Sequence, residues 1–163
     1  MNKNYRPGAI GALLDEYERA IDDLKAVIAN INDTLLTKII DPDTADENCR
    51  SIQTILSHVV HSGYGYATSI HNLKDHNLTR RAKSFHPTVQ EYLIDLTKVF
   101  SFTEKVLSEF KDDELEQFDT ALKIKAGWGQ VYDIEQMMEH AIVHILRHRR
   151  QLEKFIYKAT NPL

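Results

Sequence analysis

The residues in this sequence best suited to chemistry are its histidines, of which there are eight in 163 residues. Three of them, His140, His144 and His148, recur every four residues. On a helix, each step of four residues advances the side chain by about 40° around the axis and about 6 Å along it. The three imidazoles therefore form one ridge. Two imidazoles at this spacing can bind a single cation, which makes the ridge a candidate metal half-site.

The spacing limits how many of these histidines can bind one ion. His140 and His148 lie about 12 Å apart along the axis, too far for both to reach one metal at about 2 Å. At most one adjacent pair binds an ion, and both possible pairs contain His144. A third ligand is expected from a facing helix, where either His58 or His61 could contribute. The other interpretation is that these histidines are packed in the core and make ordinary hydrogen bonds.

Other site chemistries are excluded by the residues present. The single cysteine, Cys49, cannot form an internal disulfide or complete a thiolate metal cage. No Glu-x-x-His unit of a di-iron bundle occurs, and His144-Ile145-Leu146-Arg147-His148 lacks the glutamate of zinc proteases. No glycine-rich phosphate loop is present. We assign no chemistry to three further histidines near helix ends or loops: His71, His76 and His86.

Four long amphipathic segments must position the histidines. Apolar residues recur at helical spacing over residues 9–40, from about 51 to 73, from 89 to 110, and from 134 to about 158. Thr88 with Glu91 and Asp133 with Gln136 stand at capping-box spacing before the last two segments. Residues 111–132 are predicted to be a long connection with at most a short extended piece. The pattern predicts an all-α protein, an antiparallel four-helix bundle with one or two long connections.

Two short segments carry a family resemblance. Ile55-Leu56-Ser57-His58-Val59-Val60 and His144-Ile145-Leu146-Arg147-His148-Arg149-Arg150-Gln151-Leu152 resemble the DinB/YfiT family, whose members are regarded as metal-dependent enzymes. The resemblance implies an up-down-down-up four-helix bundle that holds one divalent metal ion, commonly nickel, zinc or iron. Matched residue by residue, its ligands would be His58, His144 and His148. The chain departs from the family pattern at Arg150, where a small residue is usual.

The resemblance also implies an activity. Three neutral imidazoles leave a divalent ion with its full charge and open positions, so that it lowers the pKa of a bound water or thiol. We therefore expect a metal-dependent hydrolase or thiol S-transferase acting on a small molecule, with a low-molecular-weight thiol as one candidate cosubstrate. Cys49 is expected to be a bystander. The alternative is a non-catalytic helical binding or stress-associated protein.

The composition limits the classes of partner that we expect. The chain has 20 basic and 24 acidic residues and a net charge of -4, so neither nucleic acid nor a membrane surface is expected as a partner. The first residues lack the apolar core of a signal peptide, and no run of about 18 apolar residues occurs. These features predict one cytoplasmic domain over residues 1–163, and we expect a homodimer.

Several other residues are weighed as supporting groups. Acceptors for the histidine N–H groups could come from Glu139 or from Asp15, Glu16 and Glu18. The basic end of the last helix is interpreted first as a solvated face that complements the helix dipole, and second as a socket for an anionic substrate. Its members are Arg147, Arg149, Arg150, Lys154 and Lys158. Gly63 and Gly65 are expected to allow a neighbouring helix to approach closely.

Overall fold

The computed structural model describes residues 5–161 and is mostly helical. The helices are α1 (Gly8–Ile28), α2 (Asp33–Leu36), α3 (Ile52–His71), α4 (Val89–Leu107) and α5 (Ile134–Thr160). Strands β1 (Ile124–Lys125) and β2 (Val131–Tyr132) form an antiparallel pair in the connection before α5, with Ile124 opposite Tyr132. Short 3-10 turns occupy residues 47–49, 72–74, 112–114 and 120–122. The predicted helical class and the short extended piece are confirmed.

The first predicted helix was too long. The apolar spacing continues to Ile40, but α1 ends at Ile28 and a separate short helix begins at Asp33. The Asn32 side chain accepts a hydrogen bond from the Thr34 backbone N–H at 2.9 Å and so starts a new helix. An asparagine side chain that bonds to the nearby backbone competes with a continuous helix, which explains the break.

The other three long helices begin at capping boxes. Thr88 and Glu91 cap α4, and Asp133 and Gln136 cap α5, both as the spacing predicts. Ser51 starts α3 in the same way, accepting from the Thr54 backbone N–H at 3.1 Å. Each box satisfies N–H groups that a helix start leaves without partners. The caps fix where each helix begins and hence which residues share its inner face.

The four long helices pack around one core. Helix α1 contacts α4 and α5, and α3 contacts the same two helices. Apolar side chains from all four are fully or almost fully buried, among them Tyr17, Leu24, Ile55, Leu96 and Leu152. Of the helices found within residues 5–161, none combines the length and the apolar character needed to cross a bilayer. The contact between α3 and α5 is the one that brings His58 towards the histidine ridge.

Gly63 permits close packing of α3. A Cβ atom at this position would lie 2.6 Å from Val99 Cγ1 and 3.1 Å from the Tyr17 hydroxyl, so α4 approaches α3 where a side chain would not fit. Gly65 has a different neighbour, because a Cβ atom there would lie 2.5 Å from Nε of Arg80. The expectation of a close helix contact therefore holds for Gly63, whereas Gly65 makes room for an arginine of the α3–α4 connection.

Candidate metal centre

Three imidazoles meet between α3 and α5. The Nε2 atoms of His58 and His144 are 2.9 Å apart. The ring centre of His148 lies 5.1 Å from that of His58 and 4.5 Å from that of His144. One potential ligand atom from each histidine lies within 4.8 Å of the other two. The structure thus brings together the three histidines that the family resemblance selects.

The orientation of His148 is set by a hydrogen bond. His148 is 4 % exposed, and its Nδ1 lies 2.9 Å from Oε1 of Gln151 one turn further along α5. An amide oxygen only accepts, so Nδ1 carries the proton and Nε2 keeps its lone pair. Metal-bound histidines commonly donate their second N–H to such an acceptor. Gln151 therefore prepares His148 to bind a metal through Nε2.

All three imidazoles are neutral at physiological pH. Burial, followed by the neighbouring His148, lowers the pKa of His58 to about 4. Burial and the adjacent His148 and His58 lower the pKa of His144 to about 2. Burial also lowers the pKa of His148, and the hydrogen bond to Gln151 opposes this shift. A metal binds the neutral imidazole, so no proton has to be displaced near pH 7.

The donor set fits a divalent transition metal. Metal–nitrogen distances of about 2.0–2.1 Å place neighbouring ligand nitrogens about 2.9–3.4 Å apart in octahedral or tetrahedral geometry. The 2.9 Å between the Nε2 atoms of His58 and His144 lies in this range. Imidazole ligands suit zinc, nickel, copper and iron better than magnesium or calcium. The residues therefore match an ion of the class that the resemblance implies.

A cavity opens beside the three imidazoles. Its volume is about 420 Å³, enough for a small molecule. Its wall combines the three histidines with carboxylate, amide, hydroxyl, aromatic and guanidinium groups. These are contributed by Asp46, Ser62, Tyr66, Arg80, Trp128, Gln130, His140 and Arg147. The cavity gives a ligand access to the face of the centre that the protein does not cover.

The third member of the ridge, His140, belongs to an aromatic wall. Trp128 stacks on it with ring centres 5.1 Å apart and 20° between the planes. The Tyr66 ring meets it edge-on at 5.4 Å, and the Tyr132 hydroxyl lies 3.4 Å from its Nδ1. His140 is outside the group of three whose ligand atoms converge. The spacing alone allows either His140 with His144 or His144 with His148 as the metal-binding pair. This geometry favours His144 with His148.

Other candidate residues lie elsewhere. His61 does not join the cluster, and its backbone oxygen accepts a hydrogen bond from Arg80 at 3.1 Å. Among the described residues 5–161, none of the acidic residues considered as acceptors for the histidine N–H groups forms a hydrogen bond with the three histidines. Those on α1 pair with arginines, and the one on α5 is exposed. Asp15 and Glu18 contact Arg6, Glu16 contacts Arg19, and Glu139 is exposed. The acceptor that the sequence analysis missed is Gln151; its spacing of three residues from His148 is the signal that could have identified it.

The basic end of α5 divides into two groups. Arg147 lines the cavity, whereas Arg149 pairs with Asp23 at 2.7 Å and with Glu153 at 3.5 Å. Lysines further along α5 line a separate surface depression together with Arg150, away from the histidines. The solvated-face interpretation therefore fits most of this segment, and the position at which the chain departs from the family pattern does not line the cavity.

Cys49 is close to the centre without joining it. Its Sγ lies 3.7 Å from Oε1 of Gln151 and 3.5 Å from Oδ2 of Asp46. Burial raises the pKa of the Cys49 thiol, with a smaller contribution from the nearby Asp46 carboxylate. A protonated, buried thiol is a poor nucleophile, which agrees with its expected role as a bystander.

The structure is thus that of a helical protein in which three convergent histidines beside a cavity could hold a metal ion. The model of the DinB family matches residues 1–158, nearly the whole chain. The protein therefore belongs to the DinB family. Among curated proteins, the comparison found no match.

Proposed function

We propose that this protein is a metal-dependent enzyme in which His58, His144 and His148 hold one divalent ion, either nickel, zinc or iron. The observation that carries the proposal is the convergence of three neutral imidazoles from two helices at the wall of a cavity. Two of the three rings share one short contact, and Gln151 satisfies only Nδ1 of His148, so a shared cation would give the converging ring nitrogens a common partner inside the protein. Membership of the DinB family supports a metal-dependent function.

The chain's own residues prepare the centre for catalysis. When bound, the ion would act as a Lewis acid that lowers the pKa of a water or thiol at its open positions. Gln151 holds the tautomer of His148, and Asp46 contributes a carboxylate to the cavity wall. Backbone N–H donation from Asn48 lowers the pKa of Asp46, so this carboxylate is ionised and attracts a cation.

The cavity wall favours a small anionic substrate with an apolar part. Arg80 and Arg147 contribute guanidinium groups to the wall, and such groups bind carboxylates in a bidentate manner. Tyr66 and Trp128, whose rings meet at 86°, supply aromatic surface. A low-molecular-weight thiol that carries carboxylates fits these groups. Because burial keeps the Cys49 thiol protonated, a thiol nucleophile would have to enter as a cosubstrate. The reaction is S-transfer if this thiol attacks the substrate and hydrolysis if water does.

The finer architecture and setting are part of the same proposal. We infer that the four long helices form an up-down-down-up bundle, that residues 1–163 form a single domain, and that the protein works as a homodimer in the cytoplasm. For the homodimer, the exposed apolar residues Val143 and Tyr157 of α5, which are 62 % and 69 % exposed, are candidate contacts. We propose no nucleic acid or membrane partner.

Metal analysis of the freshly purified protein tests the proposal. We expect the three-histidine centre to account for about one equivalent of transition metal in the wild type, and His144→Ala to lose that equivalent. His140→Ala is the matched control, because it removes a ridge histidine outside the convergent group, and it should keep the metal. Wild-type protein that contains no metal at this centre and takes none up on titration would refute the proposal.

One observation favours a second candidate function. The 2.9 Å contact between His58 and His144 is also an ordinary hydrogen bond between two neutral rings. A non-catalytic binding or stress-associated protein could keep the histidines for this purpose. Replacing His58, His144 and His148 together by glutamine separates the two functions. The non-catalytic protein would keep its biochemical phenotype, whereas the enzyme would lose it.

A further inference from the structure

A second group of possible metal ligands lies at the far end of α3. His71, the last residue of α3, places its Nδ1 3.1 Å from Oε2 of Glu109, which follows α4. His76, in the α3–α4 connection, places its Nε2 3.5 Å from the same carboxylate oxygen. All three ligand atoms lie within 4.8 Å of one another. Two histidines and one carboxylate is a ligand set that zinc uses in proteins.

The chain turns sharply to bring these residues together. After the 3-10 turn at residues 72–74, Asp75 adopts a left-handed conformation with φ 59° and ψ 20°. A residue other than glycine in this region costs up to about 2 kcal/mol, although aspartate is among the more tolerant. The turn stacks the His76 ring on the His71 ring, with centres 3.9 Å apart and 15° between the planes. The stacking keeps both imidazoles beside the Glu109 carboxylate.

The two groups of ligands are separate centres. His71 lies 13 residues beyond His58 on the same helix, which corresponds to about 20 Å along the axis. The two ions of a dinuclear site lie about 3.5–4 Å apart, so the second group cannot complete such a site with the first. Its ligands are also more accessible, since the side chains of His71, His76 and Glu109 are 20 %, 47 % and 32 % exposed.

We propose that His71, His76 and Glu109 form a second, independent site for a zinc-class divalent ion, which fastens the α3–α4 connection to the end of α4. The carboxylate balances one of the two positive charges, and water completes the coordination. The site joins the end of α3, the α3–α4 connection and the segment that follows α4. A bound ion stabilises the folded chain because the unfolded chain does not hold the three ligands together.

Zinc titration of the metal-free full chain, with a competing chromogenic chelator, tests this site. We expect two equivalents in the wild type, one in His144→Ala, one in His76→Ala and none in the double variant. Glu109→Gln keeps the side-chain shape but loses the anionic ligand, and should raise the Kd of this site at least about tenfold. Zinc in excess should raise the Tm of His144→Ala by about 5 °C and leave the Tm of the double variant unchanged.

The outcomes separate this proposal from the proposed function. One equivalent in the wild type and none in His144→Ala would overturn the second site and leave the three-histidine centre intact. One equivalent that survives His144→Ala and disappears with His76→Ala would support the second site and contradict the first. As a control, His140→Gln should keep both equivalents. Uptake that is unchanged by substituting either His76 or Glu109 would overturn the proposal.

Discussion

Replacing Gln151 by leucine should weaken metal binding without unfolding the protein. Gln151 Oε1 lies 2.9 Å from Nδ1 of His148, and this acceptor fixes the proton on Nδ1. In the metal-free Gln151→Leu variant, His148 can move its proton to Nε2 and donate towards a neighbouring imidazole. In the metal-bound protein, the proton must stay on Nδ1, which the leucine leaves without an acceptor.

The size of the effect follows from that difference. A buried N–H group without an acceptor costs about 1–3 kcal/mol, and His148 is 4 % exposed. Each 1.4 kcal/mol corresponds to about a tenfold change in Kd, so metal affinity should fall by about 5- to 150-fold. The stability of the metal-free protein should change by less than about 1 kcal/mol, because the tautomer can adjust.

Competition with a chromogenic chelator measures the affinity, and urea unfolding of the metal-free protein measures the stability. Gln151→Glu keeps an acceptor of the same length and should bind metal at least as tightly as the wild type, since a carboxylate makes a stronger hydrogen bond to the imidazole. Gln90→Leu is the matched control, because Gln90 is exposed on α4. An affinity in Gln151→Leu within twofold of the wild type would show that the hydrogen bond does not prepare the ligand.

Two further perturbations test the packing and the charge state of the centre. Gly63→Ala places a Cβ atom 2.6 Å from Val99 Cγ1 and should lower the free energy of unfolding, measured in urea, by about 1–3 kcal/mol. Gly127→Ala is the control, because the added Cβ meets nothing within 4 Å, and it should cost less than about 1 kcal/mol. The metal-free protein should lose stability as pH falls below about 6.5, because His58 and His144 have pKa values of about 4 and about 2 when folded and protonate more readily when unfolded. With allowance for solvent screening, the free energy of unfolding should fall by about 2 kcal/mol for the pair between pH 7 and pH 5. Urea unfolding at each pH measures this loss. A His58→Gln/His144→Gln variant should show a smaller loss.

Much of the fold could be predicted because its signals are local. Capping boxes at Thr88 and Asp133 mark the starts of α4 and α5, and both depend only on residues three apart. The apolar period over residues 9–40 was misleading, since it continues through the break that Asn32 introduces. Periodicity reports which residues face the core. It does not report whether one helix or two carry them, so a side chain that bonds to its own backbone can divide a helix.

The candidate centre could be predicted only in part, for a geometric reason. Spacing placed His140, His144 and His148 on one ridge but could not choose between the two adjacent pairs. The choice depends on the neighbours of the ridge, with Trp128 stacked on His140 at one end and His58 of α3 at the other. These neighbours are separated in sequence from the ridge or lie on another helix, and their positions follow from packing. The family resemblance selected the pair that packing brings towards α3.

The second group of ligands shows the limit of reading metal sites from spacing. His71 and His76 are five residues apart, so they would not share a face if the helix continued through both. They meet because the chain reverses at Asp75, and they meet Glu109 because α4 ends beside them. A site within one helix leaves a regular interval in the sequence, whereas a site built across a turn and a second helix end leaves none. Histidines near helix ends therefore require the tertiary structure before they can be dismissed as bystanders.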